Sequence, residues 1–549
     1  MARRSVILRR WQKAALERLA AAGAAGQQDF LAVATPGAGK TTFALTAMRG
    51  ALAATTARRV VVVVPTAHLK QQWSEAAARF DIHLDPAYGA SDGRLPADMH
   101  GIVTTYQQVA ASARAIKPIA TNAFVVFDEV HHAADDKAWG DAIRLAFEPA
   151  ARRLSLSGTP FRSDDNPIPF VRYDDGVAAP DVEYGYGDAI ADGGVVRPVY
   201  FPRLDGHMEW TAPDGNVRSH TFDDPLAAAA SNQRLRTALS LDGEWLPHVI
   251  TLANDRLARI RKHAPNAGGL VIAVDQEHAR GIASLLTRQL GTRPVVATSD
   301  DPDASRHIAS FARTTQPWLV AVRMVSEGVD IPRLRVGVFA TTTTTELFFR
   351  QAVGRLVRWT AGEPTQPAFL FIPDDPRLRV RAATIAEQRR HSLRPGNNSE
   401  GDELVPRREP MYGAVVEQLS LFAPLSATPL GGGIDGESSI WDLDPPLREP
   451  DPDAGLIVEL PPLPGAHHRD DDVDEQLAAA PPTRRDSKKR LRDANTTWTR
   501  LIAKRTGLAH AQVNAELNRL SGIARVTEAT IEQLRDRLAA AERWLRSAS

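Results

Sequence analysis

Short apolar runs rich in β-branched residues recur along the first 400 residues, separated by longer stretches with helical apolar spacing. Phe30 to Ala34, Val60 to Val64, Ile102 to Thr105, Phe124 to Phe127 and Leu154 to Ser157 form a first series. A second runs through Leu270 to Val274, Val295 to Ala297, Leu319 to Val322, Val336 to Ala340 and Ala368 to Ile372. Continuous apolar strands are those buried on both faces, so helices must cover both sides of each sheet. The expectation is an α/β protein with two tandem parallel-sheet domains, over residues 1–165 and 242–393. Residues 166–241 are rich in Gly, Asp and Tyr and weakly periodic, which marks a connecting or accessory segment.

Beyond residue 393 the pattern changes. Gly431 to Glu475 holds 13 acidic residues against two basic ones, Arg448 and Arg469, with many prolines, so 394–483 reads as an acidic linker expected to be disordered. The sign then reverses: Arg484 to Gly507 carries nine Lys or Arg against two Asp. Helices are expected at Ala509 to Leu520 and Thr527 to Arg546, making 484–549 a basic helical tail. That charge run is either a nucleic-acid contact with Trp498 available for stacking or, as such runs before helices usually are, a solvated face; Trp498 and Trp544 read more readily as small-core residues.

Composition narrows the chemistry. Lys plus Arg is 66 and Asp plus Glu is 66 in 549 residues, so any basic surface must be local. No cysteine is present, which excludes disulfides, thiolate metal sites and cysteine nucleophiles. The apolar run Val6 to Leu8 is too short for a signal-peptide core, and no run approaches a bilayer span. The sequence therefore predicts a soluble cytoplasmic protein with no membrane partner.

The first strand of the series ends in ATPGAGKT, Ala34 to Thr41, and a helical run follows. Strand, glycine loop and helix in this order form a phosphate loop. Gly37 and Gly39 let the backbone fold with its N–H groups inward, and Thr35, Pro36, Ala38 and Thr42 complete the cradle. Lys40 reaches the β and γ phosphates and the Thr41 hydroxyl faces Mg²⁺. Ala34 stands where the strict pattern has glycine, which is tolerated if the backbone there keeps negative φ.

About ninety residues on, Asp128 and Glu129 end the strand Phe124 to Phe127. Two successive carboxylates there divide the labour, Asp128 holding the metal and Glu129 orienting the attacking water. His131 is expected to hydrogen-bond toward a neighbouring motif. Ser157 and Thr159, at the next strand end, are hydroxyls able to relay contacts from the metal-bearing loop.

The order of motifs resembles the superfamily 2 helicases and translocases, in the DExH branch of restriction-enzyme motor subunits and excision-repair-type helicases. The resemblance is carried by Trp11-Gln12, ATPGAGKT, VPTAHLKQQW from Val64, TTYQ from Thr104, DEVHH, SGTPFR, MVSEGVDIPRLRV from Met324 and FRQAVGRLVR from Phe349. It implies two RecA-like domains, an ATP and Mg²⁺ site between them, and DNA as the track. Gln12 would read the adenine. Pro65, Thr66, Thr104 and Thr105 match motifs that touch the sugar–phosphate backbone. Ser326 and Glu327 match nucleic-acid contacts, and Gly328 and Asp330 match nucleotide contacts. Gln351, Arg355 and Arg358 match the closing motif, whose arginines stabilise charge on the γ phosphate. An RNA track remains open, because these motifs grip backbone. So does an ATP-gated platform that loads protein partners onto DNA through the linker or tail.

Overall fold

The computed structural model describes residues 5–89, 92–134, 137–158, 167–298, 300–301, 303–322, 331–360, 362–363, 366–393, 423–434, 455–463 and 484–547. The chain divides into two compact units. Met1–Val33, Gly39–Glu183 and Gly455–Ser549 make the first; Ala34–Ala38 and Tyr184–Ala454 make the second.

The first unit opens with strand β1 (Ser5–Arg9) and helix α1 (Arg10–Ala24), followed by β2 (Asp29–Ala34), α2 (Lys40–Ala53), β3 (Arg59–Val64) and α3 (Ala67–Ala78). It continues through β4 (Leu84–Asp85), β5 (Gly101–Thr105), α4 (Tyr106–Ala120), β6 (Ala123–Phe127), α5 (Lys137–Phe147) and β7 (Arg152–Ser157). A small ribbon of β8 (Tyr173–Asp174) and β9 (Val177–Ala178) precedes β10 (Val182–Tyr184). The sheet runs β10-β2-β7-β6-β3-β5-β4, and β2 through β7 pair in parallel. Val60 to Val64 have no exposed surface at all, as a strand covered on both faces requires.

The second unit begins with α6 (Tyr186–Ala191), β11 (Val199–Tyr200), β12 (Pro202–Thr211), β13 (Val217–Thr221), α7 (Ala228–Ala238) and α8 (Trp245–Arg261). Its parallel strands are β14 (Gly268–Ala273), β15 (Val295–Ala297), β16 (Trp318–Ala321), β17 (Leu334–Ala340) and β18 (Ala368–Pro373). Between and after them lie α9 (Gln276–Leu290), α10 (Ala304–Arg313), α11 (Glu346–Leu356) and α12 (Pro376–Leu393). The expected α/β class with two parallel sheets is thus what the protein adopts. Of residues 166–241, read from sequence as a connecting or accessory segment, those from 184 group with this unit, where β12 pairs in parallel with β18 and extends the sheet.

The passage expected to be disordered contains two strands among its described residues. β19 (Ala423–Ile434) pairs antiparallel with β12 along ten residue pairs, and β20 (Gly455–Glu459) pairs antiparallel with β1. Backbone hydrogen bonding to an existing edge needs no apolar period, so neither strand shows in the composition. β20 is followed by Leu460 and Leu463, both buried, and Pro461 accepts from Arg49 Nε at 2.9 Å.

The chain ends in α13 (Arg484–Thr506), α14 (His510–Leu520) and α15 (Ile531–Ser547), a three-helix bundle around Ile502, Val513, Leu517 and Ala541. The basic run is therefore itself a helix. Trp498 and Trp544 pack against this small core, which favours their structural reading. Arg537 is fully buried and donates to three amide oxygens, of Asn495, Asn514 and Asn518, at 2.9, 2.6 and 3.0 Å. Three neutral acceptors satisfy a guanidinium that pairs with no carboxylate among the described residues.

One carboxylate fastens the bundle to the first sheet. Asp98 binds buried Lys488 and accepts from Ile531 N at 3.1 Å, while its carbonyl accepts from Arg484 Nη1 at 2.9 Å. Beneath this contact lie His83 and His100, with rings stacked at 5.4 Å and the His83 N–H donating to His100 Nδ1 at 2.9 Å. Burial first, then the Arg484 charge, pushes His83 down to about 3 and His100 down to about 4. Among the described residues, no helix is long and apolar enough to cross a membrane.

Because both folded-state values lie below that of a free imidazole, the unfolded chain takes up these protons at higher pH. Their contribution is complete above about pH 6.5 and is lost as the pH falls toward 4, by roughly 3 kcal/mol for His100 alone. Thermal melting across pH 7.5 to 4 should show this fall, and His100→Asn, which keeps an acceptor without a titrating ring, should flatten it.

Candidate nucleotide site

Strand β2 is apolar and buried, and it delivers the chain at Thr35 to the edge where the parallel strands end. The Thr35 N–H donates to Tyr184 O at 2.9 Å, and the Ala38 N–H turns back to Thr35 O at 3.1 Å. Gly37 and Gly39 have φ of +87° and +90°, a region that side-chain-bearing residues adopt only under strain. Gly39 is also the N-cap of α2 and provides no side-chain acceptor, so the first N–H groups of a fourteen-residue helix face the loop. Thr41 and Thr42 are half-buried on the first turn.

Gln12 is buried on α1 and joins that helix to the loop. Its Nε2 donates to Gly39 O at 2.8 Å and its Oε1 accepts from Arg9 N at 2.8 Å. A Cβ on Gly39 would lie 2.6 Å from Gln12 Nε2, so a side chain there would displace the glutamine amide in addition to straining the backbone at φ +90°. Gln12, expected to read a base, thus also braces the loop.

The carboxylates follow β6. The Asp128 N–H donates to Val63 O at 2.9 Å, and its carbonyl accepts from the Tyr106 hydroxyl at 2.9 Å. Its side chain is buried, with Oδ2 accepting from Trp73 Nε1 at 2.8 Å. Glu129 then takes φ +46°, rare for a residue with a side chain. Its Oε1 lies 3.3 Å from Lys40 Nζ, and its Oε2 accepts from Gly158 N at 3.0 Å. His131 Nδ1 sits 3.7 Å from that same oxygen and 3.4 Å from Ser157 Oγ. His131 thus lies between the Glu129 carboxylate and the Ser157 hydroxyl.

The two carboxyls are driven apart. Burial, reinforced by the Glu129 charge, raises the Asp128 carboxyl despite Trp73 and Lys40. Burial would raise Glu129 as well, but Lys40, His131 and the Gly158 N–H outweigh it and hold Glu129 below the usual carboxylate range. The result is a charged Glu129–Lys40 pair beside an acid that gives up its proton reluctantly.

The second unit brings its own residues to Ala34–Ala38, which it includes. A Cβ on Gly354 of α11 would lie 2.7 Å from Pro36 Cγ, and one on Gly37 would lie 3.5 Å from Arg358 Nη1. Gln351 and Arg355 are half-buried on α11. Of the expected nucleic-acid contacts, Pro65 and Thr66 are half-buried, whereas Thr104 and Thr105 are buried. The Thr105 hydroxyl accepts from Gln108 N at 3.1 Å as the N-cap of α4. Thr159, Ser326, Glu327, Gly328 and Asp330 lie outside the described residues. Sequence reasoning did not single out Trp73, Tyr106 or Gly354; only an aromatic N–H or O–H near an acidic strand end could have hinted at the first two.

Among the described residues no three His, Asp or Glu side chains cluster as a metal site. Thr41 and Asp128 are hard oxygen donors, a partial set of the kind Mg²⁺ accepts when phosphate oxygens and water complete its octahedron.

Residues 5–162 match the family model of the type III restriction enzyme res subunit. An uncharacterized protein of Mycobacterium tuberculosis is 48% identical over 405 residues, covering 72% of this chain and 66% of that protein. One of Mycobacterium leprae is 47% identical over 393 residues, covering 70% and 65%. The chain thus spans about two thirds of the length of the curated relatives it matches. A fragment assigned as an HsdR subunit of a type I restriction enzyme from Vibrio vulnificus aligns with TM-score 0.48 and 17% identity, over 68% of this chain and 65% of that one.

Gly39→Ala should cost roughly 1–3 kcal/mol of stability from backbone strain, displace Gln12, and weaken binding of a fluorescent ATP analogue at least tenfold. Calorimetry and fluorescence titration measure the two effects.

Proposed function

On the superfamily 2 helicase-type fold marked by the match of residues 5–162 to the res-subunit family, we propose that this chain is an ATP-dependent DNA translocase or helicase. The observation that carries this reading is the Lys40–Glu129 pair at the mouth of the glycine loop. A lysine that follows such a loop and a carboxylate at a neighbouring strand end are the two groups γ-phosphate cleavage needs.

ATP enters with its phosphates against the inward N–H groups of the loop and the first turn of α2. Lys40 turns from Glu129 to the phosphates. Removing that cation from beside Glu129 raises the affinity of its carboxylate for a proton, so the water-orienting group strengthens as a base when substrate is bound. Thr41 and Asp128 would hold Mg²⁺, which would supply charge neutralisation for the phosphates. Arg358, beside Gly37, and Arg355 stabilise the charge that develops on the γ phosphate. Gln12 keeps the loop in register with α1 and contributes at the base. The change at Glu129 passes to the strand end after β7 through Gly158, His131 and Ser157, and from there to the nucleic-acid track.

Steady-state ATP hydrolysis with no nucleic acid, single-stranded DNA, duplex DNA and RNA tests the reading. Turnover should rise with DNA. Lys40→Ala and Glu129→Gln should each lower it at least a hundredfold, with Glu129→Gln still binding nucleotide, and Arg358→Ala at least tenfold. Turnover indifferent to DNA, or stimulation by RNA alone, would overturn the proposed track.

A further inference from the structure

The C-terminal bundle presents a charged face that the nucleotide site does not use. Along α13, Lys488, Asn495, Thr499 and Ile502 are buried, which fixes one side of the helix against its partners. Lys489, Arg490, Arg500 and Lys504 are exposed on the opposite side, within an arc of about 100° at 100° per residue. None of the four has an ion-pair partner among the described residues. The helix contains two carboxylates, Asp486 and Asp493; Asp493 is exposed and falls within the same arc, about 40° from Lys489, so the face carries four cations against one anion. The stripe from Lys489 to Lys504 spans fifteen residues of rigid helix, about 22 Å.

A straight array of unpaired cations matches a straight polyanion. We propose that this face of α13 is a second nucleic-acid contact that grips the phosphate backbone of duplex DNA. Two observations select the duplex over single strands. Single-strand sites combine basic grooves with exposed aromatic platforms, whereas the bundle's tryptophans, Trp498 and Trp544, are half-buried and packed against its core. Over about 22 Å of axis a duplex carries about thirteen phosphates on its two strands, one per about 1.7 Å, so a rigid straight helix laid along it meets several without any ordering of the nucleic acid. The stripe is also held fast to the first sheet, since Lys488 on the buried side of the same helix is tied to Asp98 and Ile531 N shares that carboxylate. The duplex held by α13 is therefore carried with the unit that bears Lys40 and Glu129.

This deepens the motor reading, on which the identity of the track rests, but its test does not depend on hydrolysis. The full chain, without ATP, is titrated against a duplex and a single-stranded oligonucleotide of equal length between 50 and 300 mM salt. The variant K489A/R490A/R500A/K504A should bind duplex at least tenfold more weakly at low salt, and its log affinity should fall with log salt less steeply by about 3. Single-strand binding should change less. A control that removes four exposed arginines elsewhere, R114A/R144A/R288A/R306A, should bind duplex within about threefold of the parent. Basal ATP turnover and melting temperature of the α13 variant should match the parent, because all four side chains are exposed. Unchanged duplex affinity and salt slope, an equal loss in the control, or a loss confined to single strands would overturn the proposal. Failure of DNA to stimulate turnover would leave this binding result standing and count against the motor reading alone.

Discussion

Two carboxyls in sequence at the end of a buried strand cannot both be charged without a cation, and Lys40 supplies it. Much of the site follows from that need. The glycine loop must place the first residue of α2 within 3.3 Å of Glu129, so the chain accepts φ near +90° twice, and Gln12 fills the space that a side chain at Gly39 would take. Glu129 must in turn face the lysine, and it does so from a left-handed backbone. Asp128, left with less of the positive charge, is satisfied by Trp73 from α3. Each of these local departures is intelligible only with the ion pair in place.

The parallel cores were legible because burial on both faces forces apolar residues into uninterrupted runs. The five valines of β3 and the runs in β14 to β18 announce their own boundaries to within about two residues. The phosphate loop and Asp128-Glu129 were legible for a related reason, since their chemistry needs contiguous residues at strand ends. β12 carries a legible period of two, since Pro202, Leu204, Gly206, Met208 and Trp210 are buried alternately with half-buried neighbours, but glycine and proline disguise it. β19 and β20 were not readable, because their partners lie far away in sequence and backbone pairing leaves no mark on composition. α13 escaped for another reason: its few buried positions include Lys488, Asn495 and Thr499, polar residues that hydrogen bonds make suitable for a core.

Burial of polar groups recurs as a structural device outside the site. Arg537 is held by three asparagines, and Arg197 lies fully buried among the carbonyls of Pro332 and Leu334 and the hydroxyl of Thr360. Each guanidinium fans several donors over segments distant in sequence, fixing their register as apolar contacts alone do not. Such pairs exact desolvation, visible in the lowering of both arginines by burial.

The pairing of β1 with β20 sets Ile7 opposite Ile457, 450 residues apart (457 − 7). The second unit is therefore an insertion within the first. During synthesis from the N-terminus, β1 must wait beside a finished first sheet until nearly five sixths of the chain has emerged. Loop closure over that distance is slow and entropically costly, so the ribosome-bound protein passes through a stage with an unpaired apolar strand next to Gln12. Nascent chains arrested before residue 455 should then recruit holding chaperones, and chains released just past residue 463 should shed them.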